Sequence, residues 1–205
     1  MRSRAAVPGV VLAAVVAAGC TTSPSATGPT TTSPSPTTAA GSSSSGPVVG
    51  AEPPVLASST LICEHMIDGD PPPQDFTVVL GAVALPAAPG YAALQASAEG
   101  PDPASGLFAK TGLLVRAGTA ARIDVPVSVG GAVGIGWSGW PSVASRTFVV
   151  PPCPDLAGTG WLSFPGGFWA DRPLCLPLDV SAGGRQQRVQ VGVGTACPGQ
   201  SPPPS

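Results

Sequence analysis

The chain holds one histidine, His65, one tyrosine, Tyr91, and one lysine, Lys110, so acid–base or nucleophilic chemistry has few residues to build from. His65 follows Cys63 and Glu64, and any Ser–His arrangement depends on it alone. Multi-histidine metal sites are excluded. Gly136-Trp137-Ser138-Gly139-Trp140 approaches the G-x-S-x-G nucleophile elbow but ends in Trp, so serine hydrolysis gains no support. Gly134-Ile135-Gly136-Trp137-Ser138-Gly139 matches G-x-G-x-x-G, yet a dinucleotide fingerprint must open a helix and here Trp140-Pro141 follows. These glycines are read as letting a strand bend or bulge, with no nucleotide cofactor expected. Asp68-Gly69-Asp70 carries two carboxylates around a tight turn, the donor type calcium takes. Pro71-Pro72-Pro73 follows directly and supplies no further side-chain ligand, so a plain Asp-Gly turn without metal is expected. Asp68 with Asp171 is a carboxylate pair of the type that cleaves glycosidic bonds, but nothing in the sequence brings them together.

Two residue classes remain, aromatics and cysteines. All four tryptophans, Trp137, Trp140, Trp161 and Trp169, lie within one short stretch with Phe164 and Phe168. Placed near turns, such as the expected turn Pro165-Gly166-Gly167, their rings could stack on sugar or peptide. Set against that, large rings are ordinarily buried, and the rest of the domain offers little aromatic bulk, so a core role is the favoured reading. Cys63, Cys153, Cys175 and Cys197 form an even set, which implies two disulfides if the domain is exported, as the amino end indicates. Four cysteines allow three pairings. Cys63 with Cys153 and Cys175 with Cys197 is favoured, because the second pair flanks one expected hairpin and closes locally. Zinc is the weaker alternative, since no CxxC pair is present.

The amino end decides the compartment. Met1-Arg2-Ser3-Arg4 is basic, and an uncharged run of small and apolar residues follows to Gly19, shorter than a spanning helix needs. Residues 1–19 therefore read as a signal peptide. Ala17-Ala18-Gly19-Cys20 resembles the lipobox of bacterial lipoproteins, which implies cleavage before Cys20 and acylation of its sulfur. Ala17 stands where Leu is more usual, and an ordinary small-residue cleavage site, giving a secreted protein, is the alternative. After Cys20, 25 of the 30 positions 21–50 are Ser, Thr, Pro or Gly, without charge or aromatic side chain. Residues 20–52 are thus expected to be the lipidated Cys and a disordered linker. As a coil, such a tether reaches about 30 Å.

The elements that must position the candidate residues lie in 53–199. Gly and Pro number 27 each, only 10% of residues are charged, and mean hydropathy is +0.31. That is too apolar for a wholly disordered chain. The formal net charge of −2 removes the basic footprint that nucleic-acid binding requires. Apolar runs are short, Val-rich and bounded by Gly, Pro or Asp, as in Phe76-Thr77-Val78-Val79-Leu80. Arg122-Ile123-Asp124-Val125-Pro126-Val127 and Arg188-Val189-Gln190-Val191-Gly192-Val193 alternate with period two. Ala117-Gly118-Thr119 and Ala182-Gly183-Gly184 read as hairpin turns. The nearest approach to a helix, Tyr91 to Glu99, is hemmed in by Pro89-Gly90 and Gly100-Pro101. The expectation is all-β: an antiparallel, immunoglobulin-like β-sandwich, disulfide-stapled, with 200–205 a disordered tail.

Val79-Leu80-Gly81-Ala82-Val83-Ala84-Leu85-Pro86, the stretch Phe108 to Gly118, and Pro165-Gly166-Gly167-Phe168-Trp169 onward to Cys197 resemble uncharacterised lipoproteins of actinobacteria. That resemblance implies the location and the overall architecture, and no catalytic residue. The functional expectation is a membrane-anchored extracytoplasmic lipoprotein, a non-catalytic binding or structural module of the cell envelope. Its partners would be the membrane, through the lipid, and a cell-wall glycan or an envelope protein. An envelope hydrolase acting on wall carbohydrate is the alternative.

Overall fold

The computed structural model describes residues 56–98, 106–139 and 143–204. The signal segment, Cys20, the linker and Trp140 lie outside the described residues. Ten strands follow in order: β1 Leu56–Thr60, β2 Thr77–Val79, β3 Val83–Leu85, β4 Leu107–Arg116 and β5 Ala121–Asp124, then β6 Gly134–Trp137, β7 Ser145–Val150, β8 Trp161–Ala170, β9 Leu174–Ala182 and β10 Arg185–Val193. The fold is all-β. Among the described residues the only helical element is a 3-10 turn at Cys63–His65, and no helix is long and apolar enough to cross a membrane.

One sheet runs in the order β10-β9-β5-β7-β6-β8-β4-β3-β2, all antiparallel, with β1 added parallel to β7. The pairing of β6 with β7 is a single residue pair, Ile135 with Ser145. At the far side, the segment between β3 and β4 bridges the gap, with Leu94 pairing Val193 of β10 and Ser97 pairing Phe108 of β4. Backbone bonds hold both joints: Leu94 N–H to Gly192 O, Gly194 N–H to Leu94 O, and reciprocal bonds between Ser97 and Phe108. The sheet therefore curls almost into a barrel, with the C-terminal half of β10 covered on its outer edge.

The hairpin across Gly183-Gly184 forms as the alternation predicts, with both glycines at positive φ as such a turn requires. Val189, Val191 and Val193 of β10 point inward while Arg188 and Gln190 face out. The second expected hairpin does not form. β4 pairs β3 and β8, whereas β5 pairs β7 and β9, so Ala117-Gly118-Thr119 carries the chain across the core instead. The turn's donors go elsewhere, Ala117 N–H to Gly160 O and Gly118 N–H to Cys153 O. Both strands must bury a face, Leu113 and Val115 on β4 and Ile123 on β5, and crossing puts those faces opposite each other. The alternation after Ile123 also ends early: β5 stops at Asp124, and Val127 beyond Pro126 is 98% exposed.

Pro165-Gly166-Gly167 is likewise no turn but the middle of β8, the ten-residue strand paired with β4 along its whole length. Its glycines are required by contact. A Cβ on Gly166 would lie 2.1 Å from Gly136 O and 2.7 Å from Trp137, and one on Gly167 would lie 2.3 Å from Ala109 O and 2.7 Å from the Phe108 ring. The missing side chains are replaced by aromatic rings reaching over from the neighbouring strands.

Two disulfides close the structure, Cys63–Cys153 and Cys175–Cys197, the pairing the spacing favours. The first ties the turn after β1 to the end of β7; the second ties the start of β9 to the chain just beyond β10. The loops span 90 and 22 positions, worth about 5 and about 3 kcal/mol by loss of unfolded-chain entropy. Replacing Cys63 and Cys153 together by Ala is expected to lower the denaturant midpoint more than replacing Cys175 and Cys197, as urea unfolding of the two variants would measure. Gly167→Ala should cost more than about 3 kcal/mol or prevent folding, because the obstructing atoms include backbone.

Candidate functional site

Of the four tryptophans, the three that are described are buried: Trp137 and Trp169 at 2% exposure and Trp161 at 8%. Trp137 stands edge-on to Phe148 of β7 and Phe168 of β8, with ring centroids 5.3 and 5.4 Å away, and its indole N–H donates to Thr111 O. It fills the core between strands from both sides of the wrapped sheet. Trp169 packs on Phe108, and the Arg116 guanidinium lies over Trp161 at 5.3 Å. These three rings cannot serve as ligand-stacking platforms, because their faces are already used in packing.

The fold brings His65 and Ser138 together, which spacing alone does not reveal. Ser138 Oγ lies 3.4 Å from His65 Nδ1, and Ser138 has a positive φ of 94°. The hydroxyl is otherwise engaged: it accepts from Ile62 N–H at 2.7 Å and sits 3.2 Å from Ile62 O. Its one proton cannot serve both the carbonyl and the imidazole, and among the described residues no carboxylate bonds the histidine ring. A triad needs that third group to fix the tautomer, so the pair fastens the Cys63–His65 turn onto the end of β6. The glycine-rich run Gly134 to Gly139 forms β6 and its continuation, with no helix to present amides to a phosphate.

The carboxylates are separated or neutralised. Asp68 pairs with Ser163 early in β8, while Asp171 follows the last residue of that strand. At ~3.3 Å per residue the two stand some 26 Å apart, far beyond the spacing of a glycosidase pair. Asp68 accepts from Gly69 N–H as a plain Asp-Gly turn, and no cluster of three metal-binding side chains occurs among the described residues. Among the described residues, only Asp124 and Asp179 stand directly opposite each other, on β5 and β9. Arg122 bonds Asp124 and Arg188 bonds Asp179, at 2.8 and 2.7 Å. Partial burial works to raise the Asp124 carboxyl pKa, but bonds from Arg122 and Thr147 outweigh it and hold it below the ordinary range. The Arg188 hydrogen bond lowers Asp179 against its slight desolvation. Neither acid is kept protonated, the condition a general acid must meet.

A concavity of about 740 Å³ opens beside the segment that closes the barrel. Tyr91, half-buried and edge-on to Phe76 at 5.5 Å, forms one wall. Leu94 and Phe108 line it with apolar surface, both held by the bridges to β10 and β4. Asp75, Gln95, Ser97 and Lys110 stand exposed around it. Among the described residues, the side chains of those four and the Tyr91 hydroxyl form no hydrogen bond or ion pair within the protein, unlike the arginines of β5 and β10. The chain's only tyrosine and only lysine thus meet in one groove. Composition alone names that pair, but only the closing segment brings them together.

The tail is part of the same region. Ala93 N–H donates to Ser201 O at 3.0 Å, Cys197 N–H donates to Gln200 Oε1, and Pro204 stands on the groove wall.

Both depressed acids contribute stability that is fully present above their unfolded values near 4. It is lost as pH falls through their lower folded values. Unfolding midpoints measured from pH 6 to pH 2 should therefore drop below about pH 4, and the drop should be shallower in Asp124→Asn and Asp179→Asn. High salt should weaken the contribution, since Arg122 and Arg188 are largely exposed.

No family model, no curated protein and no solved structure matches this chain.

Proposed function

We propose that this chain is a membrane-anchored extracytoplasmic lipoprotein whose β module is a non-catalytic binding unit of the cell envelope. The observation that carries the binding role is the groove beside Tyr91, where uncommitted donors and an acceptor surround an apolar lining. Catalysis draws no comparable support, because among the described residues Ser138 and His65 have no third partner and the adjacent acids Asp124 and Asp179 are both held ionised. Hydrolysis of wall carbohydrate, the other reading, would need an acid pair of which one member stays protonated. The wrapped sheet fits an immunoglobulin-like sandwich: β10-β9-β5-β7-β1 would form one layer and β2-β3-β4-β8-β6 the other, joined by the single pair Ile135–Ser145.

The anchor is the acylated sulfur of Cys20, with residues 21–52 as a tether that holds the module off the membrane. Protein extracted from membranes of the native host type should have the intact mass of a chain beginning at Cys20 and carrying acyl chains. Cys20→Ser should move it from the membrane fraction to the medium. Unacylated mature protein in the wild-type preparation would contradict the reading.

A further inference from the structure

The chemistry around the groove is unequal. Tyr91, Gln95, Ser97 and Lys110 all offer donors, and Asp75 alone is a pure acceptor. A ligand complementary to such a rim is rich in acceptors, poor in donors, and apolar on one side. A proline-rich segment in extended polyproline II conformation has that character, because its carbonyls point outward unbonded and proline has no N–H. Aromatic-lined grooves are the surfaces that take such segments.

The chain itself places proline there. Its last described residues, Ser201-Pro202-Pro203-Pro204, leave the Cys175–Cys197 staple and run back along the closing segment. The contact is slight: one backbone bond to Ser201, and Pro204 at the wall, with Pro202 and Pro204 exposed. The groove is left largely open, with about 740 Å³ beside it.

We propose that this groove docks a proline-rich polypeptide segment presented in trans, and that the tail Ser201–Pro204 is a weak resident occupant of its rim. The proposal rests on the reading of the groove as the module's binding site. A tethered tail competes at high effective concentration, so an incoming segment meets a partly occupied site and its apparent affinity is lowered accordingly.

The single tyrosine provides the test. Full-length mature protein, carrying Cys20→Ser for solubility and labelled with fluorotyrosine, gives one fluorine resonance, from Tyr91. The probe is the peptide Gly-Gln-Ser-Pro-Pro-Pro-Ser, and the control is the same peptide with alanine for each proline. A saturable shift with the proline peptide and none with the control is expected. Binding should tighten about threefold or more when Pro202, Pro203 and Pro204 of the protein are replaced by Ala, and weaken in Lys110→Ala, a substitution at an exposed site whose folding an unchanged far-ultraviolet circular dichroism spectrum verifies. Equal shifts with both peptides, or a shift only with a chito-oligosaccharide, would overturn the proline-rich assignment while the groove stood as a binding site. No shift with any of the three would overturn both.

Discussion

One hydroxyl holds the wrapped sheet together on its continuous side. Ser145, completely buried, is the only buried polar side chain among the described residues. Its Oγ lies 2.7 Å from Ser59 Oγ, 2.8 Å from Thr147 O and 3.2 Å from Ile135 O, so β1, β6 and β7 meet on a single oxygen. Only one backbone residue pair joins β6 to β7 there. The hydroxyl has one proton to donate, to one of these acceptors, and can accept from Ser59 in return, so it ties the strands where the β6–β7 ladder is reduced to one pair. Everything downstream depends on that corner, because it sets β8 and β4 across the core from β5 and β9.

Closure on the opposite side is made by irregular chain. The segment from Tyr91 to Ser97 belongs to no strand, yet it bonds both β10 and β4, and it forms the wall of a groove where polar side chains stand uncommitted. Site and closure are thus the same structure. Glycine serves the interior in a comparable way: Gly166 and Gly167 let β6 and β4 approach β8 closely enough for Trp137 and Phe108 to fill the space, and Gly136 lets Val143 approach β6. The three described tryptophans are consumed by packing, and the candidate binding surface lies at the tyrosine instead.

The legible parts of the fold were those governed by local rules. Alternation at Arg188 to Val193 and the Gly183-Gly184 turn define β10 and its hairpin from short-range chemistry, and the local closure of Cys175 with Cys197 follows from it. What depends on distant partners escapes such local rules. Pro165-Gly166-Gly167 has turn composition, but long-range contact with Gly136 and Ala109 makes it strand interior. Ala117-Gly118-Thr119 turns the chain, but which strand lies beyond is decided by burial of Leu113 and Ile123 on facing layers. The groove was illegible for the same reason. Asp75, Tyr91 and Lys110 are far apart in sequence, and only the bridges at Leu94 and Ser97 gather them.

The central claim is that the corner at Ser145 governs the integrity of the whole module. Urea unfolding of Ser145→Ala, followed at once by tryptophan fluorescence and far-ultraviolet circular dichroism, tests it most directly. The account predicts a loss of about 1–3 kcal/mol in one cooperative transition seen equally by both probes. An unchanged midpoint would contradict it.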